Sequence, residues 1–383
     1  MTSVLTLDRT ARQLQEEVDR GAFCTGAQVY VSFGGEAVMD AAFGHDGLSR
    51  RMTTDTLSTV YCTLKPMITV LVLLAEQDGL LSREMTLGEL LGVSESPAQE
   101  SVPIEDLLTH RAGLHAIRGP VAVVTPPAAR HEMALRAVPP DGWDSSTDAA
   151  YSEWLGFYLI GLVLERARGT PLADALREQL LEPLGIDDEV SLGLGAERID
   201  ELGVNVDLRE GLHLPLLTER ERWFVEAADP SLNAYATMRG LGHFYEWVLD
   251  TLSGRCKTPL EPERLREACR PHRPVVDDPI LEFECDWGLG FMTGLGRLGF
   301  GTYPSSRAVG HTGQVGTSIG FCDPEHDLAV ALLYNGVIDQ RLGANLRRPA
   351  IVSAIYEDLG IAPASTGLSE LEAAAIRKEI FPA

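Results

Sequence analysis

The 383-residue chain carries 32 Lys and Arg against 56 Asp and Glu, a formal net charge of −24, and 45% of its residues are hydrophobic. This composition is typical of a folded globular protein and excludes a mainly disordered chain. The negative charge disfavours binding to nucleic acid or to an anionic membrane surface. We therefore expect neither among its partners.

Features of targeting and of metal binding are also lacking in the sequence. Residues 1–21 have acidic residues where a secretory signal has a basic start, and the apolar stretch Met67–Ala75 is too short to span a bilayer. The six cysteines include no Cys-x-x-Cys pair, and His110 and His115 do not have a recognised metal-ligand spacing. We expect a cytoplasmic protein with reduced thiols, no metal and no cofactor.

The first predicted elements are a hairpin and a buried helix. Residues 26–44 form two short runs with partial alternation around Gly34-Gly35, which predicts an antiparallel hairpin. Apolar residues at helical spacing follow from Lys65 to Gly79, which predicts a buried helix with Cys62 near its first turn.

Further along, the pattern is mainly helical until a second hairpin. Helical periodicity covers Pro103–His110, Leu155–Arg168, Pro171–Leu181, Asn233–Leu252, Ser353–Leu359 and Leu368–Glu379, and two β-rich runs, Ser318–Cys322 and Leu328–Tyr334, flank a turn.

Strands near both ends with helices between them favour an α+β fold: an antiparallel sheet flanked by helices, with an inserted mainly helical subdomain. We expect one domain over residues 1–383, with about 1–60 and 205–383 as the α/β part and about 61–204 as the helical part. The sequence leaves the oligomeric state open.

A thiol and an amine lie three residues apart in Cys62-Thr63-Leu64-Lys65. Residues i and i+3 share a helix face, and both a helix N-terminus and a nearby ammonium favour the thiolate. Cys-x-x-Lys alone has little specificity.

The context of this pair resembles a known family. The run from Tyr61 to Pro66 and the apolar helix after it resemble the Ser-x-x-Lys-Pro helix of class C β-lactamases and their esterase relatives, with cysteine in place of serine. Three elements follow in the family's order: Leu-Leu-Thr-His-x-x-Gly-Leu at 107–114, Tyr151-Ser152-Glu153 resembling Tyr-x-Asn, and Gly310–Gly313 resembling the His-Thr-Gly form of Lys-Thr-Gly. Residues 233–245 are similar to an esterase segment. The resemblance to the serine β-lactamase and penicillin-binding-protein superfamily covers roughly residues 25–340 and implies a β-lactamase/transpeptidase-like fold.

This resemblance implies catalytic roles. Cys62 would attack an acyl carbonyl, Lys65 would accept or relay a proton, and Tyr151 would be the partner acid or base. His311 would add a hydrogen bond or a positive charge beside the site. The backbone N–H groups of Cys62 and Gln314 would form the oxyanion hole.

Glu153, Trp287 and Gly313 are the candidate substrate-binding residues. Glu153 stands where the family has asparagine, and its charge would oppose a substrate carboxylate. Trp287 is either a pocket wall or an indole in the core.

We therefore expect acyl transfer through an acyl-cysteine, as a transacylase of secondary metabolism such as antibiotic biosynthesis. The donor would be an ester, amide or thioester, possibly a carrier-protein thioester, and the acceptor an amine or alcohol. An esterase or amidase of the same fold and a non-catalytic ligand-binding relative are the alternatives. Cys62 itself is a natural nucleophile, an engineered replacement for serine, or a sign of a degenerate relative.

Overall fold

The computed structural model describes residues 6–92, 97–256 and 258–362. The expected helix Leu368–Glu379 lies outside these residues. The strands are β1 (Gly26–Phe33), β2 (Glu36–Gly44), β3 (Ser58–Thr59), β4 (Val190–Leu192), β5 (Val206–Asp207), β6 (Leu214–Pro215), β7 (Ala234–Ala236), β8 (Arg273–Asp278), β9 (Phe283–Trp287), β10 (Val309–Thr312), β11 (Ser318–Asp323), β12 (Leu328–Tyr334) and β13 (Gly336–Val337).

The helices lie mostly between β3 and β4, and otherwise before β1, on either side of β7 and after β13. They are α1 (Asp8–Arg20), α2 (Lys65–Gln77), α3 (Leu87–Leu91), α4 (Pro97–Glu100), α5 (Ile104–Leu108), α6 (Gly119–Val124), α7 (Pro127–Arg136), α8 (Leu155–Arg168), α9 (Leu172–Leu176), α10 (Glu182–Leu184), α11 (Arg222–Val225), α12 (Met238–Ser253), α13 (Pro262–Ala268), α14 (Gln340–Leu342) and α15 (Arg348–Asp358). In the described part of the chain, no helix is both long and apolar enough to cross a membrane.

A five-stranded antiparallel sheet has the order β10-β11-β12-β1-β2. Both predicted hairpins are confirmed, as β1–β2 and as β11–β12. Gly34 and Gly35 join β1 to β2 with φ values of +63° and +80°. Positive φ at both central residues suits the tight turn that the right-handed twist of two adjacent strands requires. The α+β fold with an antiparallel sheet is confirmed.

Helices cover both faces of this sheet. Alternate residues such as Val31 and Phe321 pack with α1 and α15, whereas Tyr30 and Leu333 face the opposite side with α12. A Cβ atom on Gly320 would lie 2.2 Å from the Tyr245 ring, so glycine is what allows α12 to approach β11 this closely. Burial on both faces explains why β11 and β12 are nearly continuous apolar runs.

The predicted helix over Leu155–Arg168 begins and ends where expected, and the helix predicted from Lys65 ends at Gln77. All but the last two residues of α2 are buried. The prediction over Asn233–Leu252 needs correction, because Ala234–Ala236 pair with β3 and β4 as a strand. The helix begins only at Met238, after Thr237 accepts a hydrogen bond from the Gly240 amide at 3.0 Å.

Candidate active site

Cys62 lies in a 3-10 turn, Tyr61–Leu64, that leads directly into α2. Tyr61 has a φ of +49°, an uncommon conformation for a residue with a side chain. Its buried hydroxyl donates to the Glu219 carboxylate, which also accepts from the backbone N–H of Asn205 at 2.7 Å and its side chain at 2.8 Å. These buried bonds hold the left-handed backbone immediately before the nucleophile candidate.

The Cys62 side chain is 9% exposed and lines a cleft of about 340 Å³. Its sulfur lies 3.5 Å from the Glu153 carbonyl oxygen and 3.7 Å from the Ser231 carbonyl oxygen. Both distances allow the S–H group to donate to a carbonyl. The thiol is therefore oriented by backbone groups from two distant segments and still reaches the cleft.

Lys65 is fully buried beneath this thiol. Its Nζ lies 2.8 Å from the Tyr151 hydroxyl oxygen, 3.1 Å from the Ser152 carbonyl oxygen and 2.9 Å from that of Glu153. Among the described residues no carboxylate forms an ion pair with Lys65. Burial lowers the pKa of the Lys65 ammonium, and the opposing effect of Cys62 is smaller. The amine is thus prepared to accept a proton.

Burial raises the pKa of the Tyr151 phenol well above its usual range, and the charge of Cys62 adds to this effect. The phenol therefore keeps its proton and serves as a hydrogen-bond donor or an acid, rather than as a phenolate base. Its backbone N–H donates to Asp278 Oδ2 at 2.9 Å, and Asp278 in turn pairs with Arg273 at 3.0 Å. This buried pair fixes the segment that carries the phenol.

The structure corrects the expectation of a positive charge at His311. His311 is fully buried, and burial, followed by the effect of Lys65, lowers its pKa to about 3. Its Nδ1 donates to the Thr312 carbonyl at 2.8 Å, and its Nε2 has no partner among the described residues. Its ring centroid lies 6.1 Å from that of Tyr151. His311 is a neutral imidazole behind the phenol.

Trp287 also lies behind Tyr151, with ring centroids 5.4 Å apart, and is fully buried. It does not line the cleft. The expectation of a substrate-binding wall is therefore corrected in favour of the core indole. Trp287 is the last residue of β9, and its ring points inward against the rings of His110 and His311, at centroid distances of 4.8 and 5.7 Å.

Two backbone N–H groups at the cleft are suited to form an oxyanion hole. Within the described ranges, neither the N–H of Cys62 nor that of Gln314 donates a backbone or side-chain hydrogen bond. Cys62, Gly313 and Gln314 all line the cleft. The structure places both predicted donors at the same cavity.

Close packing at Gly313 brings β10 against the Cys62 turn. A Cβ atom there would lie 2.1 Å from Ser318 Oγ and 2.6 Å from the Val60 carbonyl oxygen. Ser318 Oγ bonds Thr63 Oγ1 at 2.6 Å and donates to the Val60 carbonyl at 2.8 Å. Glycine at this position therefore permits the close approach of the strand to the turn. This approach brings the backbone N–H groups of Cys62 and Gln314 to the same cleft.

Glu153 lines the cleft, but its carboxylate is paired. Arg118 donates two hydrogen bonds to it, at 2.8 and 3.1 Å, and the Gly119 N–H donates a third at 2.7 Å. A bidentate guanidinium compensates the negative charge. The expected opposition to a substrate carboxylate is corrected accordingly, while the Glu153 carbonyl faces Lys65 and Cys62.

The remaining cleft wall is mostly apolar and includes the guanidinium groups of Arg209 and Arg348. Arg209 lines the cleft but is paired with Asp207 at 2.6 Å, whereas no described carboxylate pairs with Arg348. Arg348 is 7% exposed, donates to the Gly299 carbonyl at 3.1 Å and lies over Phe300. The apolar wall includes Ile280, Leu281, Phe283, Met292, Leu298 and Ile338.

A family model described as Beta-lactamase matches residues 7–352, nearly the whole chain. The chain belongs to the Beta-lactamase family. A relative from Mycobacterium tuberculosis (strain ATCC 25618 / H37Rv), described as "Esterase/beta-lactamase LipL", is 23% identical over 316 residues, covering 75% of this chain and 71% of the relative.

Solved structures show the same fold. A family VIII carboxylesterase has a TM-score of 0.74 with 21% identity, covering 92% of this chain and 97% of its own. A protein described as "EstCE1, a hydrolase with promiscuous acyltransferase activity" has a TM-score of 0.73 with 15% identity, covering 93% and 100%. The β-lactamase/transpeptidase-like architecture expected from the sequence is confirmed.

Two residues of this Beta-lactamase family site received no role from the sequence. His110 packs on the Tyr151 ring at a centroid distance of 4.5 Å, and its Nδ1 accepts the Ser152 N–H at 3.2 Å. The position of His110 in the Leu-Leu-Thr-His element could have indicated that it belongs to the site. Arg348 had no signal, because an arginine at a helix start is usually solvated and only tertiary packing buries this one.

Proposed function

We propose that this chain is an acyl-transfer enzyme in which Cys62 becomes acylated and passes the acyl group to an amine or alcohol. The observation that carries the proposal is the sulfur of Cys62 at the cleft, together with the buried Lys65–Tyr151 pair and two backbone N–H groups that have no acceptor among the described residues. This arrangement supplies a nucleophile, a proton path and an oxyanion site within one cavity.

The proton path follows from the three contacts of Lys65. Carbonyl oxygens only accept, so two N–H bonds of Lys65 point to Ser152 and Glu153, and the remaining direction faces the Tyr151 hydroxyl. As the Cys62 sulfur bonds to the acyl carbon, its proton passes to the Tyr151 oxygen while the phenol proton passes to neutral Lys65. The lowered pKa of Lys65 favours its neutral form, which is the form that can accept this proton.

The same groups return the proton. The carbonyl oxygen takes the electron pair as the C–S bond forms and is held by the N–H groups of Cys62 and Gln314. When that pair re-forms the carbonyl, the bond to the leaving group breaks and Tyr151 protonates the departing atom, with Lys65 restoring the phenol. Deacylation repeats these steps with the acceptor as nucleophile.

An acyl-cysteine favours transfer over hydrolysis. Thioesters react with amines more readily, relative to water, than oxygen esters do. We propose an ester, amide or thioester donor, including a carrier-protein thioester, with an acyl chain that contacts the apolar wall at Leu281, Phe283 and Ile338.

The second candidate is an esterase or amidase that uses water at the same acyl-enzyme. The observation that favours it is the description of the curated relative and of the carboxylesterase structure as esterases. Adding an amine acceptor during turnover separates the two. Product that remains entirely hydrolytic as the amine concentration rises would contradict transfer.

The decisive experiment is intact-protein mass spectrometry after mixing with an activated acyl thioester. We expect one acyl adduct on Cys62, formed as fast as the initial burst of released thiol, and none in Cys62→Ala. Half-buried Cys256, which does not line the cleft, provides the matched control Cys256→Ala, which should acylate like the native chain. If the native chain forms the adduct but does not turn over, the result would support the alternative of a non-catalytic ligand-binding protein.

A further inference from the structure

The two carbonyl oxygens that contact the Cys62 sulfur belong to segments 78 residues apart, at Glu153 and Ser231. One buried carboxylate, Asp229, holds both segments. Its Oδ1 accepts the Ser231 N–H at 3.0 Å, and its Oδ2 accepts the Trp154 indole N–H at 2.7 Å. Asp229 therefore bonds Ser231, which carries one of the two carbonyls, and Trp154, which directly follows Glu153 in the chain.

A direct bond closes the ring between the two segments. The Ser231 hydroxyl donates to the Trp154 carbonyl at 2.7 Å. The side chains of Trp154, Asp229 and Ser231 are all nearly or fully excluded from solvent. The positions of the Glu153 and Ser231 carbonyls are therefore linked to one another through Asp229.

Burial raises the pKa of Asp229, and its ion pair with Arg130 opposes that rise. The Arg130 Nη1 lies 3.0 Å from Asp229 Oδ2 and donates to Asn233 Oδ1 at 3.2 Å, while its Nε donates to the Thr125 carbonyl at 2.7 Å. The side chains are 1% and 3% exposed. Since a buried charge without its partner is costly, the two groups act as a unit. An amide at this position has a single acceptor oxygen and could not accept all three N–H donors.

The Glu153 carbonyl has a second contact in the site. It accepts from Lys65 Nζ at 2.9 Å as well as facing the Cys62 sulfur. A displacement of this carbonyl would move the proton acceptor and the nucleophile together.

We infer that Asp229 is the positioning residue for the nucleophile: it holds the Glu153 and Ser231 carbonyls against the Cys62 sulfur and so directs the thiol toward the cleft. This inference rests on the proposed acyl-transfer function. Asp229 does not touch substrate; it acts through the two carbonyls.

The test compares Asp229→Asn and Ser231→Ala with the native chain. Asn keeps the size of Asp229 but loses an acceptor and the charge, and Ala removes only the bond from Ser231 to Trp154. Because small misplacements of reacting groups cost up to about 100-fold, we expect Cys62 acylation to slow by roughly 10–100-fold in Asp229→Asn with KM changed less than about twofold. Ser231→Thr, which keeps a hydroxyl, should recover most of the rate lost in Ser231→Ala.

The double variant provides a further criterion. Both substitutions loosen the same two carbonyls, so Asp229→Asn/Ser231→Ala should be no more than about twofold slower than Asp229→Asn alone, instead of showing the product of the two effects. Independent effects that multiply would overturn the inference.

General destabilisation is controlled at Asp323. This fully buried carboxylate accepts from Ser305 and Tyr356 at the end of β11 and does not line the cleft. Asp323→Asn should lower Tm while leaving the acylation rate within about twofold of native. Asp229→Asn that acylates at the native rate would overturn the inference.

A crystal structure of Asp229→Asn gives a readout independent of activity. We expect the Cys62 sulfur to leave at least one of its two carbonyl contacts, and retention of both would overturn the inference. Failure of the proposed function is distinguishable, because in that case the native chain itself forms no acyl adduct on Cys62.

Discussion

The Lys65 Nζ lies 2.8 Å from the Tyr151 hydroxyl oxygen and 4.4 Å from the centroid of the same ring. The amine thus contacts both the polar atom and the aromatic face of one side chain. Burial acts oppositely on the two groups, lowering the pKa of Lys65 and raising that of Tyr151. Both shifts favour a neutral pair that exchanges a proton with Cys62.

Tyr151→Phe should separate this chemistry from packing. The ring remains against His110 and Trp287, but the proton path between Cys62 and Lys65 is broken, so we expect kcat for acyl transfer to fall by about 10²–10⁴-fold. Stopped-flow measurement of the acylation burst checks this. Tyr245→Phe is the control, since this buried hydroxyl has no hydrogen-bond partner among the described residues, and it should leave the burst unchanged. Equal bursts in both variants would contradict the role of the phenol.

Gly313→Ala should impair stability and catalysis together. Its methyl group would collide with Ser318 and the Val60 carbonyl, so β10 must move from the Cys62 turn. Overpacking of this kind costs about 1–3 kcal/mol. Urea unfolding measures the free energy, and the burst rate reports the loss of the Gln314 donor. Exposed Gly296, where the nearest atom would be 3.3 Å away, gives the control Gly296→Ala. A native burst in Gly313→Ala would contradict the proposed oxyanion hole.

Acid should destabilise the fold through His311. The folded pKa of about 3 lies below the unfolded value of about 6.5, so the unfolded chain binds more protons between these pH values. Stability is therefore lost as pH falls from about 6.5 toward 3, by up to about 1.4 kcal/mol per pH unit for this group. Buried His110, whose pKa is also lowered by burial, adds a loss of the same sign.

His311→Asn should make this dependence shallower. Urea unfolding at several pH values between 4.5 and 6.5 measures the slope, and the same substitution at exposed His213 is the control. An unchanged slope in His311→Asn would contradict the assignment of a neutral buried imidazole.

Arg348→Met should change the preference for acyl donors with an anionic group. The native guanidinium lines the cleft without a described carboxylate partner, so we expect it to bind a substrate carboxylate. A charge-assisted hydrogen bond contributes about 1.5–3 kcal/mol, so KM for a carboxylate-bearing donor should rise roughly 10–100-fold. A neutral donor of the same shape should be unaffected.

The matched control for that experiment is Arg209→Met. Arg209 lines the same cleft, but Asp207 already occupies its guanidinium. Its substitution should therefore change KM for the anionic donor less than Arg348→Met does. Equal changes for the neutral and anionic donors in Arg348→Met would contradict carboxylate binding.

Elements with a local signal were predictable from the sequence. The period of apolar residues predicted α8 to its ends, and Gly34-Gly35 predicted the first hairpin, because both signals are contained in the segment itself. The prediction over Asn233–Leu252 failed at its start, where Ala234–Ala236 pair with β3 and β4 instead of continuing α12. Pairing between strands 42 or more residues apart has no local period to reveal it.

The sequence by itself determined the order of the motifs, the antiparallel hairpins, the family resemblance and the candidate residues Cys62, Lys65 and Tyr151. Only the tertiary structure decided that Trp287 and His311 lie behind the phenol, that Arg118 compensates Glu153, and that no carboxylate of the described residues pairs with Arg348. The physical reason is that protonation and charge depend on desolvation and on partners brought from distant segments. The residues next to a given residue in sequence reveal neither how deeply its side chain is buried nor which distant groups it contacts.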